Sequence, residues 1–315
     1  MPTNYLNSTL SILALAILGY LGYAFWIGPE QTLAAISQLG TLNILFILSL
    51  SLINYGLRFL RWQWYLTTTS HQNLNLITSL RYYLTGFAFT TTPGKAGEII
   101  RSLYLKQHAI PYTKSLSLLF VERFSDLLAT LILAALVLWH FENYQQWIII
   151  PIIIVLILLN AIRYPQWLIY LQQQLAPHFP NRLTTLLNSL LNLILHTQTL
   201  LKPNFLYGSL ILGLLAWGAE GLGFYYILNL LGFEVSLPLA MGIYAMSLII
   251  GALSFLPGGL GGTEAAMLIM LANLGLSPEH ALAATLICRF TTLWFAVALG
   301  ALAMTGLKLN PVPSN

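Results

Sequence analysis

Arg123 and Arg289 each lie inside a long apolar stretch, and each follows a glutamate, Glu98 or Glu264, by the same interval of 25 residues. Arg58, Glu122, Asp126 and Glu220 also fall within apolar segments. A charged group at the centre of a membrane helix costs roughly 2.5–3.5 kcal/mol on insertion scales, so such groups face the protein interior and are paired. Asp126 lies four residues after Glu122 and three after Arg123, within reach of both on one helix face. Arg289 has only Thr285, Leu286, Thr292 and Leu293 at those spacings. Its partner must therefore come from another segment, with Glu264 and Glu220 the candidates. Such pairs serve one of two ends. They lock two halves of a protein together, or they line a cavity for a polar, charged substrate. Eight ionisable groups near two glycine-rich loops favour the cavity.

The loops are Pro93-Gly94-Lys95-Ala96-Gly97 and Pro257-Gly258-Gly259-Leu260-Gly261-Gly262. Their glycines permit positive φ and close approach of backbone to a ligand. Helices starting at about Ala96 and Gly262 would direct free N–H groups and a positive dipole end inward. Lys95 adds a full charge to the first. The chemistry this suits is binding of an anionic group such as a phosphate; the alternative is a tight turn needed for packing. Neither loop ends in Gly-Lys-Ser/Thr, so neither is a P-loop.

These features occur twice because the chain repeats itself. Residues 92–136 align with 256–302, with two extra residues in the second loop. From Glu98 and Glu264 onward the register holds at an offset of 166, pairing Leu105 with Leu271, Arg123 with Arg289, Phe124 with Phe290 and Leu127 with Leu293. Leucine matches are cheap in a leucine-rich chain; the Pro-Gly, Glu and Arg-Phe matches are not. An internal repeat with interrupted helices and buried charge is the mark of a membrane transporter.

Composition sets the solvent. Hydrophobic residues make up 57% of the 315-residue chain and charged residues 7%, against about 25% charged in a soluble domain. The chain reads as one all-α, polytopic membrane domain over 1–315, with repeat 1 at about 41–139 and repeat 2 at about 204–306. Spanning helices are predicted at 8–27, 41–66, 114–139, 147–162, 204–231 and 279–306. Each approaches the roughly 20 residues needed to cross. The run at 8–27 has no basic start, so it is expected to be a retained helix rather than a signal peptide. Residues 97–108 and 263–275 are too short to span. They are read with 76–92 and 238–256 as two re-entrant pairs that turn at the Pro-Gly loops; full crossing in a thinned membrane is the alternative. Residues 163–202 read as a cytoplasmic linker ending in a surface helix or in an extension of the next span.

Under the re-entrant reading, Arg61, Arg81, Lys95, Arg101, Lys106, Lys114, Arg163, Arg182, Lys202 and Lys308 fall on one side. The opposite loops and their margins carry Glu30, Glu142, Glu234 and Glu279. The positive-inside rule then places both termini in the cytoplasm, and the two repeats have inverted topology. The net charge of +4 is a topology signal and not a nucleic-acid footprint. Lone Cys288 permits no intrachain disulfide.

Enzyme readings mostly fail by inventory. Asp126 is the single aspartate, the six histidines are scattered without metal-ligand spacing, and no Gly-x-Ser-x-Gly elbow is present. No catalytic residue, metal or cofactor is assigned. A buried Glu with Arg leaves an intramembrane transferase as an open reading.

The segments Pro93-Gly94-Lys95-Ala96-Gly97-Glu98-Ile99-Ile100-Arg101, Glu122-Arg123-Phe124-Ser125-Asp126, Pro257 to Ala265 and Arg289-Phe290 together resemble the lysylphosphatidylglycerol synthase transmembrane-region family, also called the flippase-like domain. The resemblance extends over roughly 10–306. It implies a multi-pass inner-membrane protein. In bifunctional members this domain moves aminoacylated phosphatidylglycerol between leaflets, and a soluble C-terminal domain makes that lipid. The soluble domain is not expected here, nor is its transferase activity. The expected function is a lipid flippase, or a transporter of a lipid-linked substrate. Lys95, Arg101, Arg123 and Arg289 would meet the phosphate. Glu98, Glu122, Asp126, Glu220 and Glu264 would balance them or meet an amino group. The runner-up is an accessory subunit of a lipid-modifying or glycosyltransferase system. The partners expected are a membrane phospholipid or lipid-linked molecule, with a homo-oligomer or a partner enzyme left open.

Overall fold

The computed structural model describes residues 36–69, 74–92, 98–140, 164–175 and 202–307, with isolated positions elsewhere between 30 and 200. The predicted span at 8–27, most of that at 147–162, most of the linker after 175 and the first Pro-Gly loop at 93–97 lie outside the described residues.

Among the described residues the structure is helical, without strands. The helices in chain order are α1 (Gly40–Thr69), α2 (Leu76–Thr85), α3 (Ile100–Lys106), α4 (Tyr112–Ala134), α5 (Leu136–His140), α6 (Pro165–Leu175), α7 (Pro203–Leu230), α8 (Leu237–Leu253), α9 (Gly262–Asn273), α10 (Pro278–Arg289) and α11 (Phe295–Met304). A 3₁₀ turn, Gly86–Phe89, continues α2. A π-helical turn, Phe290–Trp294, joins α10 to α11. Among the described residues three segments are long and apolar enough to cross a membrane: α1, α7 and Pro278–Met304. They coincide with the predicted spans at 41–66, 204–231 and 279–306. Residues 114–139, also predicted to span, fall in α4 and α5, which meet at Ala135.

Local sequence explains the boundaries. Pro203, Pro238 and Pro278 sit in the first turns of α7, α8 and α10, where a missing N–H costs nothing. The side chain of Asn75 caps α2 by accepting from Ile77 N at 3.0 Å. Gly261 (φ +87°) turns the chain into α9. At 17 and 12 residues, α8 and α9 are about 25 and 18 Å long, short of the ~30 Å hydrocarbon core.

The buried face of α1 runs through Ile47, Leu50, Asn54, Arg58, Arg61 and Tyr65, a helical spacing that passes from apolar to charged. α7 packs along α1, and α8 packs on α4, α7 and α9. Two apolar cores result. One gathers Trp217, Phe224, Ile243, Tyr244, Met267, Leu271 and Ile287 from α7 to α10. The other gathers Phe59, Trp62, Tyr83, Phe87, Val121 and Leu128 from α1, α2 with its 3₁₀ turn, and α4. Gly242 makes the contact of α8 with α5 possible, since a Cβ there would stand 2.5 Å from Val137 N. Leu42, Ile77, Ile269 and Leu302 are exposed apolar side chains, the outward surface of a protein solvated by lipid.

Candidate functional site

Between the two cores lies a network of buried charge. α1 supplies Arg58 and Arg61, the turn before α3 supplies Glu98, α3 supplies Arg101, and α4 supplies Glu122, Arg123 and Asp126. Asp126 is the hub. Its Oδ1 accepts from Arg61 Nη2 at 2.6 Å and from Trp217 Nε1 at 3.1 Å. Its Oδ2 lies 3.2 Å from Arg123 Nη2 and 3.5 Å from Arg58 Nη2. Glu122 accepts from Arg101 Nη1 at 3.0 Å, Arg123 Nη2 at 3.0 Å and the Tyr83 hydroxyl at 3.3 Å. Glu98 lies 3.3 Å from Arg101 and 3.5 Å from Arg123.

The second repeat builds a smaller version. Arg289 Nε donates to Glu264 Oε1 at 2.6 Å, and its Nη2 donates to Gly258 O at 2.9 Å. Glu264 also accepts from Gly261 N at 2.6 Å, which closes the first turn of α9. Each repeat's arginine thus sits beside its own loop's glutamate. Glu220 is held separately, by the hydroxyl of Tyr244.

Both sets face one cavity of about 360 Å³. Arg58, Arg123 and Arg289 line it together with Glu98, Asp126 and Glu220. The second Pro-Gly turn reaches it through Gly258 and Gly259, at φ +64° and +67°. The π-helical turn contributes Thr292, whose carbonyl accepts from the Tyr55 hydroxyl at 2.5 Å. A π turn leaves a helix carbonyl displaced from its regular partner, and Tyr55 fills that vacancy from α1. Leu127, Leu253 and Leu256 line the same cavity yet are 42%, 69% and 42% exposed, so its rim is open and apolar.

The structure therefore brings Glu98, Glu122, Arg123, Asp126, Glu220, Glu264 and Arg289 together around or just behind one cavity, with Pro257, Gly258, Gly259, Gly261 and Gly262 in the turn that closes it. Lys95, Pro93, Gly94 and Gly97 lie outside the described residues.

Arg61 and Arg101, which the charge bias assigns to the cytoplasmic side, are 0% and 3% exposed and bonded to Asp126 and Glu122. Glu98, Glu122 and Asp126 need more than Arg123 to balance them, and Arg101 of α3 with Arg58 and Arg61 of α1 supply the rest. At the start of α9, Glu264, at the third helical position, occupies the N–H of Gly261, the residue that precedes the helix. Sequence reasoning also passed over Trp217, Tyr55 and Tyr244. One available signal was the i, i+3 spacing of Arg58 and Arg61, which sets both on one face of α1.

A bundle of long apolar helices around a charged interior defines a multi-pass helical membrane protein. Residues 11–300 match the family described as the lysylphosphatidylglycerol synthase TM region, and the chain belongs to that family. It is also similar to a UPF0104 membrane protein of Methanothermobacter thermautotrophicus, 25% identical over 308 residues, which covers 92% of this chain and 90% of the relative. A further match to a UPF0104 membrane protein of the same organism is 29% identical over 103 residues, 33% of this chain and 30% of the relative.

Proposed function

We propose that this protein moves a phospholipid or lipid-linked molecule between the leaflets of the cell membrane. The observation that carries this reading is the cavity itself: three arginines and three carboxylates form its walls, while Leu127, Leu253 and Leu256 form an open apolar rim. A lipid needs both. Its head group requires a polar route, because a charged group in hydrocarbon is strongly disfavoured. Its acyl chains remain outside, against leucine.

On this reading α2 with α3, and α8 with α9, are two re-entrant pairs of an inverted repeat, and both termini are cytoplasmic. Backbone that is not helical is tolerated at membrane depth only inside protein or beside a cavity. The second turn meets that condition, since Gly258 and Gly259 line the cavity. The turns are also neighbours. A Cβ on Gly258 would stand 3.2 Å from the Cα of Thr91, which immediately precedes the first loop by two residues. The family's description, which names a phospholipid synthase, supports a lipid as cargo.

Purified protein in vesicles carrying fluorescent phosphatidylglycerol in both leaflets tests the proposal. Dithionite then reduces only the outer label. Protein-containing vesicles are expected to lose nearly all fluorescence, and empty ones about half. Equal loss in the two preparations would rule out lipid movement by this protein.

A further inference from the structure

We infer that Arg58 and Arg123 form the phosphoryl-binding cleft of this cavity, with Arg58 the principal contact. The inference rests on the transport reading only for the lipid that carries the phosphate.

Arg58 is 5% exposed and lines the cavity. Its Nε and Nη2 have no hydrogen-bond partner. Its Nη2 stands 3.5 Å from Asp126 Oδ2 and 3.7 Å from Glu122 Oε1, too far for the short charge-assisted bonds that guanidinium and carboxylate form at about 2.7–2.9 Å. Nη2 of Arg123 converges on the same two oxygens, and Arg123 Nε is also without a partner. Two guanidiniums therefore lie side by side with unused donors. Of the carboxylate oxygens near them, Asp126 Oδ1 is engaged by Arg61 and Trp217, and Glu122 by Arg101 and Tyr83, while Asp126 Oδ2 makes no hydrogen bond and faces both guanidiniums.

Among the described residues Arg58, Arg61, Arg101 and Arg123 outnumber Glu98, Glu122 and Asp126 by one, and Glu220 is the remaining carboxylate on the cavity wall. Geometry supports Arg58 as the contact. Its guanidinium is placed over the rings of Trp217 at 5.1 Å and Phe87 at 5.6 Å. Aromatic faces hold a cation without consuming its hydrogens, so the fork stays available. Buried donors left unmade are costly, and an arriving phosphoryl oxygen satisfies them. Arg289 differs: its Nε and Nη2 are committed to Glu264 and Gly258.

The same phosphoryl chemistry comes from a lipid or from a soluble ester, so three radiolabelled probes are compared in detergent: dihexanoyl phosphatidylglycerol, dihexanoylglycerol and glycerol 3-phosphate. Wild-type protein is expected to bind the first most tightly. Arg58→Gln should weaken that binding about tenfold or more, as loss of a charged hydrogen bond implies, and leave dihexanoylglycerol unchanged. Binding of the phosphatidylglycerol probe within twofold of wild type would overturn the assignment. If Arg58→Gln does not fold, Arg58→Lys decides: it keeps the charge but loses the fork. Weakened binding by that variant supports the cleft, and undiminished binding overturns it. Tightest wild-type binding of glycerol 3-phosphate keeps the cleft and removes the lipid, sinking the transport reading alone. Wild-type protein that binds neither phosphate-bearing probe overturns the cleft, and leaflet exchange on the same preparation then judges transport separately.

Discussion

Arg289 Nε lies 2.6 Å from Glu264 Oε1, a buried pair whose two members also hold the Pro257–Gly259 turn from both sides. Arg289 grips the Gly258 carbonyl, and Glu264 grips the Gly261 N–H. Breaking a buried pair by removing one partner costs about 3–5 kcal/mol, because the remaining charge is stranded. Arg289→Ala is therefore expected to lower the melting temperature markedly. Combining Arg289→Met with Glu264→Gln should recover much of that loss. Glutamine still caps Gly261 N–H, and no ion is left unpaired. Thermal unfolding of the single and double variants in one detergent reads the coupling; additive losses would show that the two side chains do not act as a pair.

A sharper contrast is expected within the first network. Asp126 serves Arg61, Trp217, Arg123 and Arg58 at 2.6, 3.1, 3.2 and 3.5 Å. Asp126→Asn leaves four buried guanidiniums facing Glu98 and Glu122 alone, so it should destabilise by about 3–5 kcal/mol. Arg58→Gln removes the network's surplus cation and no hydrogen bond to either carboxylate, so its cost should stay below about 1 kcal/mol. Melting temperatures in the opposite order would mean that Arg58, not Asp126, organises the network.

Much of this arrangement was legible in the sequence, and the rest was hidden for definite reasons. Apolar length alone placed α1, α7 and the α10–α11 span. That Arg289 pairs with a carboxylate from another segment was legible, because it has no partner on its own helix, and Glu264 was one of the two candidates. The bond between Arg61 and Asp126 was hidden because the two are 65 residues apart, and a single sequence does not show long-range partners. The partners of Arg101, Glu122 and Tyr83, were hidden for the same reason. Here the Arg101 guanidinium lies 4.3 Å from the Tyr83 ring centre. The π turn at Phe290–Trp294 has no periodic signature, since it shifts helical register by only one residue.

Gly258 offers a test of how closely the second turn must approach Thr91. Its φ of +64° disfavours any residue with a Cβ by about 1–2 kcal/mol. Gly232, at φ +76°, carries the same conformational burden, but a Cβ there meets nothing within 4 Å. At Gly258 the added carbon would stand 3.2 Å from Thr91 Cα. Gly258→Ala should therefore cost more than Gly232→Ala, and it should slow leaflet exchange where Gly232→Ala does not. Equal effects on stability would mean that the approach to Thr91 carries no energetic weight.

The last prediction concerns orientation, and α7 provides the measuring rod. Its 28 residues extend about 42 Å, enough to cross the hydrocarbon core with some tilt. Lys202 precedes the helix and Glu234 follows it, and both are exposed, so a label can reach either. The charge bias of the loops assigns Lys202 to the cytoplasm and Glu234 to the outside. Cys288 is buried and is replaced by serine to give a background without thiols. In intact cells, an impermeant maleimide should then label Glu234→Cys directly. Lys202→Cys should react only after the membrane is opened. Arg182→Cys should behave like Lys202→Cys, and Glu142→Cys like Glu234→Cys. Labelling of Lys202→Cys and Glu234→Cys from the same side would mean that α7 does not cross, and the inverted repeat built on it would fall. Labelling of Arg182→Cys from outside would reverse the orientation of the whole bundle.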